Sequence, residues 1–177
     1  VAKNIIAERH NILPPEKILL FAGTLDYKPN ATAVENIYKE IAPRLAESNF
    51  QGRIIICGRN KLPSFQYLNS LSHPMVINAG EAEDIENYFA AADVFINPVL
   101  TGGGVQTKVI DALSYGCGVV CFEKMAAGTG IILLTEERIY KCRSNDWGEF
   151  VFKITTISKT STGNSSDPIN RYNFQKI

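Results

Sequence analysis

Apolar runs of strand length alternate along this chain with segments whose apolar positions recur at helical spacing. Lys17 to Gly23 (KILLFAG) is a near-continuous apolar run, and Ala31 to Ala46 follows with Val34, Ile37, Ile41 and Leu45 on one helical face. The order repeats. Strands are predicted over Arg53 to Gly58, Met75 to Asn78 and Val94 to Asn97, with a short helix over Leu62 to Leu71 and a helix over Ile85 to Ala91 between them. Val109, Ile110, Ala112 and Leu113 then predict a helix that Gly116 stops. Strands over Gly118 to Phe122 and Arg138 to Cys142 and a helix over Trp147 to Ile157 complete the pattern. Strands that are apolar on both faces must be covered on both sides. The predicted fold class is therefore α/β, a doubly wound, Rossmann-like parallel sheet of about six strands with helices on both faces.

In such a sheet a ligand sits beyond the carboxyl ends of the strands, near the point where strand order reverses. The segments placed there are Thr24 to Asn30, Arg59 to Lys61, Gly80 to Glu83 and Asn97 to Lys108. In the last of these a buried strand ends at Pro98, Gly102, Gly103 and Gly104 follow, and a helix opens with Lys108 in its first turn. Backbone without Cβ atoms approaches a ligand closely, and the free N–H groups and positive dipole end of a helix start favour phosphate. The alternative is a tight loop with Lys108 as a solvated helix residue. Lys108 is followed by Val109 rather than a hydroxyl residue, so this is not a P-loop, and no GxGxxG follows the first strand as a dehydrogenase would require.

Composition narrows the partners. Among 177 residues, 18 Lys and Arg balance 18 Asp and Glu without a basic cluster, so neither nucleic acid nor an anionic membrane is an expected partner. No apolar run has bilayer length and no signal peptide opens the chain, which points to a cytoplasmic protein. Cys57, Cys117, Cys121 and Cys142 lack ligand spacing, and three lie in apolar stretches, so they read as small buried hydrophobes. His10 and His73 stand far from any ligand pair; no metal site and no Cys nucleophile is expected. Residues 1–157 are expected to form one domain. A polar tail follows over 158–177, with a short final helix near Asp167-Pro168. The opening Val1 in place of Met is the mark expected of a fragment.

Three segments carry a further signal. FAGTLDYKPN after the first strand, GEAEDIENYFAAADVFINP in the middle and GGGVQTKVIDALSYGCGVV after it resemble the C-terminal, donor-binding domain of GT-B glycosyltransferases, the glycosyl transferases group 1 family, over about residues 15 to 145. The resemblance implies a nucleotide-diphospho-sugar donor held in a cleft between two Rossmann-like domains, transfer with retention at the anomeric carbon, and no metal or other cofactor. It also implies that an N-terminal domain absent from this chain binds the acceptor and makes any membrane contact. A half-enzyme of this kind is expected to bind nucleotide weakly and to transfer nothing alone.

By the same resemblance, Asp111 stands where the family's helix carries the acid that binds the donor ribose, one methylene shorter than the common Glu. Gly103 occupies the place of a Glu that contacts the sugar hydroxyls, and Thr24 the place of an Arg that neutralises the diphosphate, leaving Lys28 from that pair. Lys108 and the amides of Gly103, Gly104 and Val105 are then expected to take up the charge that grows on the leaving diphosphate, with Gly102 donor-binding beside them. Gly80, Glu81, Ala82 and Ile85 resemble the base pocket.

Bland readings stand beside these. Lys28 fits a turn in DYKPN with Pro29 opening a helix, and Asp84 fits a cap for the helix at Ile85. Asp93 fits a structural role at a strand edge, Tyr88 and Phe89 fit the core, and Arg59-Asn60 face either the cleft or solvent. Two other functions compete. The Gly103 and Thr24 departures fit a non-catalytic nucleotide-sugar-binding or regulatory module. An epimerase on the related architecture is disfavoured, because only His10 and His73 are available as cleft histidines.

Overall fold

The computed structural model describes residues 1–102, 107–126 and 136–160. At its centre β1 (Lys17–Ala22) pairs along its whole length with β2 (Gly52–Cys57), from Lys17 opposite Gly52 to Ala22 opposite Cys57. β3 (Val76–Gly80) adds outside β2, while β4 (Val94–Asn97), β5 (Gly118–Phe122) and β6 (Ile139–Cys142) extend the other side of β1. The order is β3-β2-β1-β4-β5-β6 and every pairing is parallel. The chain winds outward from β1 to β3 and then returns to start β4 beside β1, so strand order reverses between β1 and β4.

Alternation of side chains along each strand divides the core into two layers. Leu19, Phe21, Ile54, Ile56, Ile96 and Phe122 face the layer built by α2 (Lys28–Asn36), α3 (Ala42–Glu47) and α7 (Trp147–Thr160). Ile18, Leu20, Ile55, Phe95, Val119 and Cys121 face the opposite layer. That layer is built by α1 (Ala2–His10), α4 (Ile85–Ala91) and α5 (Thr107–Ser114), with α6 (Glu123–Ala126) contributing to both. Helices on both faces of an all-parallel sheet are the predicted α/β class.

Several elements differ from expectation for local reasons. The stripe Val34, Ile37, Ile41 and Leu45 is buried as predicted, but the helix opens at Lys28 and passes through a π-helical turn, Ile37–Ile41, before α3. Pro43 has no N–H to donate, and just before it the Ala42 N–H bonds the Ile37 carbonyl five residues back. The Leu62 to Leu71 helix is a 3-10 helix over Pro63–Ser70 with only Leu68 buried. β3 runs on to Gly80, whose carbonyl accepts the Gly58 N–H at 2.8 Å. α7 continues past Ile157, and the buried Ser158 donates its hydroxyl to the Ile154 carbonyl at 2.8 Å instead of opening a polar tail. The final helix expected near Asp167-Pro168 lies outside the described residues.

α1 has no counterpart in the hydrophobic pattern. Ile6 is its one buried residue, and charges hold the helix in place: Lys3 pairs with Asp93 at 2.7 Å and Arg9 with Asp84 at 2.9 Å. Asp93 also accepts the Ile18 N–H at 2.8 Å, so it does the structural work expected at the edge of β4. Tyr88 and Phe89 are core, as expected. All four cysteines are buried and unbridged, and burial pushes their thiols up to about 12. They stay protonated at neutral pH. Among the described residues no helix is long and apolar enough to cross a membrane, and no three His, Cys, Asp or Glu converge as a metal site.

Candidate functional site

The carboxyl ends of β1, β2 and β3 and the first turn of α5 enclose a cleft of about 270 Å³. Two glycines let the strand ends close up. The Gly23 N–H bonds the Cys57 carbonyl at 3.0 Å and the Leu25 N–H bonds the Arg59 carbonyl at 2.8 Å, which draws the loops after β1 and β2 together. A Cβ at Gly58 would stand 1.9 Å from the Gly23 carbonyl oxygen, a distance that only glycine avoids. Asn30 folds back from α2 and donates to the Thr24 carbonyl at 2.9 Å, fixing the turn on the other side. Ala22 and Cys57 meet Glu81, Ala82, Ile85 and Lys108 in the lining.

Five of the sequence-derived candidates thus share one cleft: Thr24, Glu81, Ala82, Ile85 and Lys108. They come from three segments, after β1, after β3 and at the start of α5, that only the parallel sheet brings together. Gly80 adjoins it with a left-handed φ of 70°, the conformation glycine tolerates best. Lys28 is the exposed first residue of α2 and is absent from the lining. Gly102 is also outside the lining; its φ is 125°, and a Cβ added there would stand 3.2 Å from the Tyr27 hydroxyl and 3.6 Å from Pro29. Asp111 lies one turn beyond Lys108, its carboxylate 3.5 Å from the Lys108 ammonium, with both side chains about half exposed. Gly103, Gly104 and Val105 lie outside the described residues.

Sequence reasoning missed what orders the cleft mouth. Asp26 directs Oδ1 at the N–H groups of Lys61 and Leu62, at 2.7 and 2.8 Å, and Oδ2 at Arg59 Nε, at 3.2 Å. Those amide bonds, Leu62 first, and the Arg59 charge hold the Asp26 carboxyl below the usual range although its side chain is only 8% exposed. Arg59 lines the cleft beside Thr24, whereas Asn60 is outside the lining and donates its amide to the Phe65 carbonyl at 3.1 Å. The available signal was the position of Arg59 directly after the strand-ending Gly58, at a sheet end already assigned to ligand.

A clamp between α1 and α4 backs the wall that carries Ala82 and Ile85. Both Arg9 terminal nitrogens bond the two Asp84 oxygens at 2.9 Å, the guanidinium lies over the Tyr88 ring, and His10 shares a 2.9 Å hydrogen bond with the Tyr88 hydroxyl. Asp84 occupies the N-cap position of α4 and its carbonyl accepts the Asn87 N–H at 3.0 Å, but its side chain makes no bond to the helix backbone; it pairs with Arg9 and accepts from the Asn87 side chain instead. Arg9 holds the Asp84 carboxyl well below the usual carboxylate range. A carboxylate whose folded pKa is depressed adds stability above its unfolded pKa of about 4, and that stability is lost as pH falls through the folded value. Asp84→Asn should therefore flatten the decline in stability on acidification below about pH 4. Urea unfolding at neutral pH and at successively lower pH checks this, and an unchanged slope would mean that the pair contributes nothing.

The chain matches the family model described as glycosyl transferases group 1 over residues 16–159. No curated protein sequence matches it. Among solved structures, a glycosyltransferase from Rickettsia africae is similar with a TM-score of 0.69 at 14% identity, covering 91% of this chain and 42% of that one. HepE of Anabaena, solved in complex with UDP and glucose, gives a TM-score of 0.66 at 14% identity, covering 90% of this chain and 46% of HepE. The C-terminal domain of the group 1 family protein LpcC from Francisella tularensis gives 0.62 at 12% identity, covering 90% of this chain and 84% of that domain. The likeness is one of fold, and the chain spans less than half the length of the first two.

Proposed function

The chain belongs to the glycosyl transferases group 1 family, and on that footing we propose that it is the donor-binding part of a retaining glycosyltransferase, which uses a nucleotide-diphospho-sugar and meets its acceptor on a second domain. The observation that carries this reading is the convergence of Thr24, Glu81, Ala82, Ile85 and Lys108 in one cleft at the carboxyl ends of β1 to β3.

In this reading the base lies against Gly80 to Ala82 and Ile85, where main-chain groups meet the ring edge. The diphosphate lies toward α5. Breaking the sugar–phosphate bond leaves negative charge on the departing diphosphate, and Lys108, the dipole of α5 and the main-chain amides before it bind that state better than the ground state. Charge is met by these groups rather than by a metal ion. Asp111 reaches the ribose hydroxyls once the base is seated, which requires it to give up its contact with Lys108.

Calorimetric titration with UDP, GDP and ADP is expected to show binding of one of the three, and no heat or amide chemical-shift change with any of them would sink the proposal. A non-catalytic nucleotide-sugar-binding module is the second reading, favoured by the neutral Thr24 and by the position of Lys28 outside the cleft. Sugar transfer by a protein that joins this domain to an acceptor-binding domain decides between them.

A further inference from the structure

A nucleoside diphosphate brings about two to three negative charges into the cleft, more than one half-exposed lysine answers. Lys108 shares its charge with Asp111 at 3.5 Å, and the acidic Glu81 in the same lining is paired at 3.5 Å with Lys61. The other basic side chain in the lining is Arg59. Its placement is built rather than incidental. Asp26 Oδ2 pairs with Nε of the guanidinium at 3.2 Å, while Oδ1 is occupied by two main-chain N–H groups. The carboxylate is fixed by backbone, and among the described residues no hydrogen bond engages the Nη edge of Arg59. A guanidinium held at Nε and open at its terminal nitrogens is the fork that takes two phosphate oxygens together.

From this geometry we infer that Arg59, aimed by Asp26, is a diphosphate-binding residue of the cleft, supplying from the end of β2 the positive charge that Thr24 and Lys28 do not supply from the end of β1. The inference rests on the donor-binding reading and adds a ligand residue to it. Arg59 touches the phosphate; Asp26 is a positioning residue.

The test is titration of the 177-residue protein with UDP, GDP and ADP, with inorganic pyrophosphate and with the matching free nucleosides. Arg59→Gln should weaken the bound nucleotide and pyrophosphate on the order of tenfold to a hundredfold and leave nucleoside binding unchanged. Arg59→Lys should recover part of the loss, because it restores charge but not the fork. Asp26→Asn should reduce diphosphate affinity as well, and the double variant Asp26→Asn, Arg59→Gln should lose no more than Arg59→Gln alone, a coupling that a purely structural Asp26 would not show. Nucleotide binding that Arg59→Gln leaves intact overturns the role of Arg59 while the donor reading stands. Additive losses overturn the role of Asp26. Failure of the unaltered protein to bind any of these nucleotides overturns the donor reading itself.

Discussion

Gly58→Ala is expected to destabilise this domain by about 3 kcal/mol and to distort the candidate cleft, because the new methyl would collide with main chain rather than with a side chain able to move. The added carbon would stand 1.9 Å from the Gly23 carbonyl oxygen and 3.1 Å from its carbon. β1 and β2 are in continuous register up to Ala22 and Cys57, so relief means parting the strand ends and losing the hydrogen bonds of Gly23 to Cys57 and of Leu25 to Arg59. Gly80→Ala is the control: nothing lies within 4 Å of its added carbon, and only the left-handed φ is strained, at a cost of about 1 kcal/mol. Urea unfolding of both variants checks the contrast. A Gly58 variant no less stable than the Gly80 variant would show that the approach of the two loops is not what holds the cleft.

Lys108→Ala should weaken nucleoside diphosphate binding by on the order of 1.5 to 3 kcal/mol while leaving unfolding nearly unchanged. The residue is about half exposed and its pair with Asp111, at 3.5 Å, is of the surface kind worth a few tenths of a kcal/mol to the fold. Calorimetry against a thermal melt separates the two effects. Lost stability with retained affinity would assign Lys108 to structure. Asp111→Asn resolves the neighbouring role: a ribose contact predicts a large loss for the ribonucleotide and little for pyrophosphate, whereas equal losses for both would place its effect on Lys108 alone.

The fold was legible because its strongest signals are local. α4 at Ile85–Ala91, β4 at Val94–Asn97 and β5 at Gly118–Phe122 have the bounds that periodicity predicts, since a strand buried on both faces must be apolar throughout and an amphipathic helix must repeat. From those elements alone the α/β class follows, and with it the end of the sheet where a ligand belongs. α1 escaped because it buries Ile6 alone and so carries no apolar stripe, and its ionic partners are remote in sequence, Asp93 for Lys3, 90 positions away, and Asp84 for Arg9, 75 positions away.

The residues themselves determined the order of strands and helices and the loops from which a site could be drawn. Tertiary structure alone decided which loop residues meet. It brought Arg59 and Lys108 into one cleft and left Lys28 outside, tied Asp26 to backbone 35 positions away, and made Gly58 irreplaceable by a contact with Gly23. The physical reason is range: hydrophobic periodicity is written between neighbours three or four residues apart, whereas a hydrogen bond or a steric contact between two strand ends exists only after the sheet has closed the distance.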